Sequence, residues 1–156
     1  MTVLGFHASH EQVHPGALLE AVHDDLRAAV DAYRGAGGTG PVALQVHLSW
    51  APTEDEALAI AHDRWRSNVF PPDFNWDVDH VKHFDAAAEH VPPEALRGPV
   101  LVSSDPVQHV AWLQGLIALG FDEVYLHHVG KEQRAWLDVF GEQVLPQLDV
   151  TAKAAA

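Results

Sequence analysis

The chain has 156 residues, of which 47% are hydrophobic and 20% charged, so it can bury the core of one domain of ordinary size. Its net charge of −13 argues against general binding to nucleic-acid phosphates or to an anionic membrane, because both would repel it. The absence of cysteine excludes disulfides, Cys-ligated metals and thiol catalysis. No apolar run reaches membrane-spanning length and Met1–His14 lacks the features of a secretory signal, so we expect a soluble cytoplasmic protein.

Four short segments rich in Val and Leu have the composition of β-strands. They are Thr2–His7, Val42–Leu48, Val100–Ser103 and Glu123–Val129. A segment with a helical pattern follows each of them, so strands and helices alternate along the chain. This alternation predicts an α/β fold with a parallel sheet, because parallel neighbours need crossover connections.

The predicted helices have readable start and stop signals. Pro15 opens the first helix, and Thr53 with Glu56 has the spacing of a capping box for the second. Asp105 precedes a proline and can cap the helix after the third strand. Gly120 suits a left-handed stop at the end of that helix.

An additional segment, Phe70–Pro99, separates the second helix from the third strand, with a Pro-Pro pair near each end. Within it Val78–His90 predicts one helix, with four apolar residues on one side: Val81, Phe84, Ala88 and Val91. We interpret the segment as a cover or an interface element rather than a second domain. Residues 1–150 are therefore expected to form one shortened domain, and 151–156 a frayed tail.

Several stretches match the pattern of one known family in the right order: Gly5–Gln12 with Pro15, then Val30–Arg34, Gln45–Trp50, Phe84–Ala87 and Leu119–Asp122. Together they resemble the luciferase-like flavin- and deazaflavin-dependent oxidoreductases. The most similar branch is the one that includes deazaflavin-dependent glucose-6-phosphate dehydrogenase. The resemblance covers nearly the whole chain.

The resemblance implies a (β/α) barrel, which needs about 250 residues and eight strands. This chain offers four strand-like segments, and the family's Asp-His pair after the second strand has no counterpart here. The gap falls near Val22–Asp25, within the first predicted helix. We therefore expect an internally shortened member: half of a TIM-type barrel, with about four parallel strands in chain order and flanking helices.

Side-chain alternation indicates which residues line the interior of such a half-barrel. Four polar side chains near strand ends are expected to point inward and bind a ligand: His7, Gln45, His47 and His127. The apolar residues of the second strand, from Val42 to Leu48, would face the helices. Under the family resemblance His7 and His47 are the catalytic groups beside the cofactor ring. The alternative is a set of solvated or hydrogen-bonded histidines in a half-open sheet.

The turns after the last two strands are candidates for phosphate binding, because helix N-termini lie behind them. Ser103 and Ser104 supply hydroxyl and N–H groups in one turn, and Lys131 supplies a cation in the other. Asp105 is more readily interpreted as a cap that satisfies the same N–H groups. For the two serines both interpretations stay open.

Two metal hypotheses follow from the histidines. His10–His14 matches the His-Glu-x-x-His signature, but Pro15 follows at once, so the segment is interpreted as a loop and not as a zinc-binding helix. A three-His site from His7, His47 and His127 is a minor alternative. The histidines on predicted helices are expected at the surface: His62, His80, His83, His90 and His109. Trp50 lies near a strand end and can stack on a ring, whereas the other tryptophans are expected to pack helices on the sheet: Trp65, Trp76, Trp112 and Trp136.

The resemblance implies an oxidoreductase of monooxygenase or dehydrogenase type, with FMN or coenzyme F420, a deazaflavin, as hydride carrier for a small-molecule substrate. Weak cofactor binding is expected, since the Asp-His pair and the central strands are missing. The alternative is an inactive half-barrel that serves as a binding or assembly module. Open sheet edges also predict a homodimer that completes the barrel, unless Phe70–Pro99 covers the open side.

Overall fold

The computed structural model describes residues 2–4 and 15–150, with the side chains of 23–150 except 72, 73 and 75. One sheet contains four parallel strands: β1 (Thr2–Leu4), β2 (Val42–Ser49), β3 (Leu101–Val102) and β4 (Glu123–His128). The α-helices of the described ranges are α1 (Pro15–Gly35), α2 (Glu54–Trp65), α3 (Pro72–Asp77), α4 (Val81–Ala88), α5 (Pro106–Ile117) and α6 (Gln133–Val139). A π-helical turn, Phe140–Val144, follows α6. The predicted α/β class with a parallel sheet is confirmed.

The predicted strand order is wrong, because β2 is the central strand and pairs with all three others. Ala43–Leu48 of β2 pairs with the whole of β4 along one edge. The opposite edge of β2 is shared, with Val42–Leu44 beside β1 and Leu48–Ser49 beside β3. The physical reason is that β3 has two residues and reaches only the end of β2, which leaves the start of that edge to β1. β4 pairs with β2 along the other edge.

An ion pair fixes this placement of β4. The Asp122 carboxylate, just before β4, accepts a hydrogen bond of 2.9 Å from the N–H of Val42 at the start of β2. The same oxygen lies 2.6 Å from the guanidinium of Arg34 in the last turn of α1. Arg34 also donates to the carbonyl of Gly40 at 2.7 Å. One carboxylate thus joins the end of α1 to the starts of both long strands.

The start and stop signals of the helices are confirmed. The Thr53 hydroxyl accepts the N–H of Glu56 at 3.3 Å and donates to its carboxylate at 3.0 Å. The Asp105 carboxylate accepts the N–H of Val107 at 2.9 Å. Gly120 has a φ of 91°, the left-handed conformation that ends a helix.

The single helix predicted over 78–90 is wrong in extent, since α4 covers only Val81–Ala88 and α3 precedes it separately. The backbone is extended at Val78 and His80, which separates the two helices. Phe84 contacts the ring of Phe74 at a centroid distance of 5.7 Å, whereas Val81 is 76% exposed. The apolar side of α4 therefore packs on aromatic residues of its own segment and is not a continuous buried stripe.

The two faces of the sheet pack against different parts of the chain. On one face the apolar residues of β2 contact α1, α5, α6 and the π-helical turn, in a core that includes Leu26, Val30, Val42, Leu44, Val46, Leu48, Leu113, Leu116, Trp136 and Phe140. On the other face α2 covers the end of β2, where the Ser49 hydroxyl donates to the carbonyl of Ala57 at 2.7 Å. Further along this second face Gln45 is exposed. The expected direction of the apolar side chains of β2 is confirmed. Among the described helices, none is long and apolar enough to cross a membrane.

Candidate functional site

Two histidines meet on the second face of the sheet. His47 of β2 and His127 of β4 are paired in the sheet register. Their Nδ1 atoms lie 2.9 Å apart, and both side chains are half-buried. A contact between two ring nitrogens is a hydrogen bond only if one of them carries a proton and the other a lone pair. The distance therefore fits a hydrogen bond in which one imidazole is protonated at Nδ1 and the other is not.

Trp65, the last residue of α2, covers this histidine pair. Its ring centroid lies 4.5 Å from that of His47 and 5.2 Å from that of His127. Sequence reasoning assigned Trp65 to ordinary packing and missed this role. A signal was present, because Ala57, Ala61 and Trp65 follow at four-residue spacing and the two alanines are fully buried against the sheet. That spacing places Trp65 on the sheet-facing side of α2.

A polar open surface continues from the histidine pair along the same face. Gln45 and Tyr125 are paired in the register, and both are exposed, Tyr125 to 47%. The Tyr125 hydroxyl donates to the Glu123 carboxylate, and this hydrogen bond raises the pKa of Tyr125. Gln45, His47 and His127, all predicted as ligand-binding residues, thus lie on one continuous face.

His128 occupies the opposite face, as alternation predicts. Its ring is buried and stacks on Trp136 at a centroid distance of 5.4 Å with 17° between the planes. Burial lowers the pKa of His128, and the like-charged form of His127 lowers it further, against a hydrogen bond to Leu48 that raises it. His128 therefore belongs to the core and stays neutral there.

The expectation that His109 lies at the surface is wrong. Its side chain is 0% exposed, and Nε2 lies 3.0 Å from the carbonyl oxygen of Ser103. Helix α5 turns this position toward the sheet, and burial lowers the pKa of the imidazole. Trp76 also departs from expectation, because it is 86% exposed and packs no helix on the sheet.

The turn Ser103–Asp105, predicted as a phosphate site, already has partners for its N–H groups. Ser104 N–H donates to the Glu54 carboxylate at 2.9 Å. Asp105 N–H donates to the Ser103 hydroxyl at 3.0 Å. Phosphate could enter only if Glu54 left this position. Trp50 is held at the same turn, where its indole N–H donates to the Ser104 carbonyl at 3.1 Å. Lys131, the predicted phosphate cation, is exposed in the turn after β4.

Glu54 is anchored by charge as well as by hydrogen bonds. Its second oxygen lies 2.7 Å from the Arg97 guanidinium, which also contacts Glu94 at 2.9 Å. Desolvation would raise the pKa of the Glu54 carboxyl, but the hydrogen bonds from Arg97 and Ser104 outweigh it and lower the pKa. An anion of the chain itself therefore occupies the N–H group that the prediction assigned to phosphate.

Two predicted features lie outside the described residues, namely His7 and the segment His10–His14. Within the ranges that the structure describes, no group of three His, Asp or Glu side chains is arranged to hold a metal ion. The three-His alternative requires His7 and so remains a prediction.

Comparison with known proteins identifies relatives that are named as F420-dependent enzymes. The chain is 28% identical over 105 residues to the F420-dependent glucose-6-phosphate dehydrogenase of Microbacterium testaceum. These aligned residues are 67% of this chain and 31% of that enzyme. The enzyme of the same name from Nakamurella multipartita is 30% identical over 84 residues, 54% of this chain and 25% of that one. The one from Mycolicibacterium fortuitum is 26% identical over 139 residues, 88% of this chain and 40% of that one. No family profile matches the chain.

The fold resembles that of a solved F420-dependent secondary alcohol dehydrogenase in complex with an F420–acetone adduct. The TM-score is 0.62 at 19% identity, over 76% of this chain and 36% of that one. The chain thus spans about a third of the length of the curated relatives it matches. In sequence the chain is therefore similar to F420-dependent glucose-6-phosphate dehydrogenases, and in fold it is similar to an F420-dependent secondary alcohol dehydrogenase.

Proposed function

We propose that this chain is a deazaflavin-dependent oxidoreductase of dehydrogenase type, in which the ring of coenzyme F420 binds beside His47 and His127. The observation that carries the proposal is the 2.9 Å contact between their Nδ1 atoms at the ends of neighbouring parallel strands. In barrels built from such strands, functional groups lie at that end of the sheet. The names of the relatives favour F420 over FMN.

The residues of this face fit the ring of the cofactor but not its phosphate. A planar heteroaromatic ring needs a flat surface and a few polar contacts, which the face supplies through the exposed Gln45 amide and the half-buried histidines. The phosphate would have to displace Glu54 from the N–H of Ser104. We therefore expect weak binding, because contacts to the ring alone hold it in several orientations.

The histidine pair supplies what an alcohol oxidation requires of the protein. Bound F420 would supply an acceptor for a hydride from the carbon of the reduced substrate. An alcohol carbon can give up a hydride to form a carbonyl only if its hydroxyl proton also leaves. The imidazoles of His47 and His127 are the groups proposed to take that proton. The substrate class proposed is a small alcohol.

The sheet is proposed to be part of a (β/α) barrel. Four parallel strands with helices along one face and an exposed polar stretch on the other are consistent with a segment of a barrel wall. Helix α2 and Trp65 cover one end of the face that a full barrel would enclose. The ring site would then lie at the border between the covered and the exposed part.

One observation favours a second candidate, an inactive binding or assembly module. The Glu54 carboxylate accepts the Ser104 N–H in the turn that the sequence predicts as a phosphate site, so this N–H group is not available to a phosphate. A module without cofactor would keep Glu54 in place and use the polar face for another partner. The two candidates differ in whether F420 or FMN binds at all.

Fluorescence titration tests the proposal. F420 added to the purified protein should give saturable quenching, with FMN a weaker ligand. His127→Gln should weaken F420 binding at least about tenfold, which equals 1.4 kcal/mol. The matched control is His90→Gln, an exposed histidine of the Phe70–Pro99 segment, which should leave the affinity unchanged. Absence of saturable binding of either cofactor would overturn the proposal and support the inactive module.

A further inference from the structure

The outer edge of β4 is free within the part of the chain that the structure describes. β4 pairs with β2 along one edge and with no other described strand. Val129 N–H bonds the carbonyl of Leu48, so the odd-numbered residues of this segment direct their main-chain groups toward β2. The N–H and C=O groups of Val124 and Leu126 therefore point to the outer edge. A strand six residues long with such an edge is a template for pairing with another strand.

We propose that this edge binds a second copy of the chain, with the two β4 strands antiparallel across a two-fold axis at Tyr125. In that register Val124 and Leu126 of one copy would form hydrogen-bonded pairs with Leu126 and Val124 of the other. The same register sets Glu123 of each copy opposite His127 of the other, since both lie two residues from the axis. The proposal does not depend on cofactor binding.

The pairing of Glu123 with His127 favours this register over its neighbours. Glu123, Tyr125 and His127 share one face of the strand, and an axis at position 124 or 126 would not bring an acid opposite a base. Glu123 and His127 would form non-hydrogen-bonded pairs, in which side chains approach more closely. A carboxylate and an imidazole in directly opposed positions can form a hydrogen bond between two antiparallel strands. β4 is therefore complementary to itself.

Apolar surface on the other side of β4 adds to the argument. Val124 and Leu126 line a groove of about 210 Å³ together with Leu113, Phe121, Leu145 and Val150. Leu145 is 50% and Val150 75% exposed at its border. Pairing of two β4 strands would bring the grooves of the two copies side by side along the axis. Exposed apolar surface next to an open edge is typical of an interface.

The sheet also favours this assembly over a homodimer that completes a barrel. A parallel barrel would require β4 of one copy to pair with the opposite sheet edge of the other. Within the ranges 2–4 and 15–150, that opposite edge consists of β1 with three residues and β3 with two. An interface that matches β4 to β4 is isologous and closes with two copies. Glu123 of each copy would then lie beside the histidine pair of the other.

Light scattering after size exclusion gives the first test. The expected mass is twice the 17.0 kDa of the chain. Glu123→Lys removes the carboxylate opposite His127 in two symmetric places and should weaken the dimer about tenfold. Adding His127→Glu to Glu123→Lys sets a glutamate opposite each new lysine and should restore the dimer. Glu89→Lys, the same change on exposed helix-end surface, should have no effect.

Cysteine cross-linking gives the second test, because the chain has no cysteine of its own. Tyr125→Cys would set two thiols opposite each other at the axis, about 4.5 Å apart between Cα atoms, which suits a disulfide. Gln45→Cys lies one strand further in on the same face and should not cross-link. Rapid disulfide formation at position 125 alone supports the proposal. A monomeric mass at micromolar concentration, or equal cross-linking at both positions, overturns it.

Discussion

The carboxylate of Glu54 lies 2.7 Å from the guanidinium of Arg97 and joins three separate parts of the chain. Its other oxygen accepts the N–H of Ser104, so the start of α2, the Phe70–Pro99 segment and the turn before α5 meet at one side chain. The position of Glu54 therefore decides both local stability and whether the Ser103–Asp105 turn can accept an anion.

Glu54→Ala should lower the free energy of unfolding by about 1–2 kcal/mol, because it leaves the Ser104 N–H and the Arg97 guanidinium without this acceptor. Glu54→Gln keeps an acceptor oxygen and should cost less, about 0.5–1 kcal/mol. Urea unfolding of the three proteins measures the difference. Asp138→Asn is the control, since its ion pair with Arg134 is exposed and should contribute under about 0.5 kcal/mol. Equal decreases in the free energy of unfolding for Glu54→Ala and Asp138→Asn would contradict the stabilising role of Glu54.

Gly130 packs closely against the ring of His128, the buried histidine of β4. A Cβ at this position would lie 2.6 Å from Nε2 of His128 and 3.0 Å from Cγ2 of Ile60. Gly130→Ala should therefore lower the free energy of unfolding by about 1–3 kcal/mol through overpacking. Gly141→Ala is the matched control, because a Cβ there has no neighbour within 4 Å. It should be neutral or slightly stabilising, since alanine restricts the unfolded chain. Thermal melting of the two variants side by side checks the difference, and similar melting temperatures would contradict it.

Two buried histidines predict that stability falls in mild acid. Burial lowers the pKa of both His109 and His128 below the ordinary value of 6.5. Their Nδ1 atoms have no hydrogen-bond partner within the described residues, so a proton there would gain no acceptor. Well above pH 6.5 both histidines are neutral in the folded and in the unfolded protein, so they do not lower the free energy of unfolding. Below it the unfolded chain takes up protons first, and the free energy of unfolding falls until the pH reaches the lowered pKa values of the folded state.

Urea unfolding at a series of pH values between 7.5 and 5 measures this effect. His109→Gln should reduce the pH dependence of the free energy of unfolding, even if it lowers that free energy at pH 7.5. His90→Gln, an exposed histidine, should leave the slope as it is in the unaltered chain. A free energy of unfolding that stays constant from pH 7 to 5 in the unaltered chain would refute the assignment of both histidines as neutral core groups. The lowered pKa of Glu54 acts in a separate window, below its ordinary value of 4.5.

The sequence was sufficient for features that depend on neighbouring residues. Thr53 and Asp105 cap their helices, and Gly120 takes a left-handed φ, because each signal acts within one helical turn. The alternation along β2 and β4 correctly separated His127 from His128, because side-chain direction in a strand has a period of two. That alternation also brought Gln45 and His47 to the same face.

Features that depend on pairing between distant segments were not predictable in this way. The order of strands follows from the shortness of β3 and from the contact of Asp122 with Val42 and Arg34, which no local pattern encodes. The role of Glu54 at the Ser103–Asp105 turn has the same origin, because its partners are more than forty residues away. Trp65 was missed for a different reason. Its helical spacing was visible, but the chemistry of the face beneath it was not.

NMR of histidine-labelled protein during titration with F420 tests most directly whether the cofactor ring binds beside His47 and His127. If the ring binds beside the pair, the signals of His47 and His127 should move together and saturate, while those of His90 and of the buried His128 stay in place. Assignment comes from His47→Gln and His127→Gln, each of which removes one signal. Saturable binding that moves none of these nitrogens, or that moves His90 as much as His47, would contradict the account and remove the histidine pair from the chemistry.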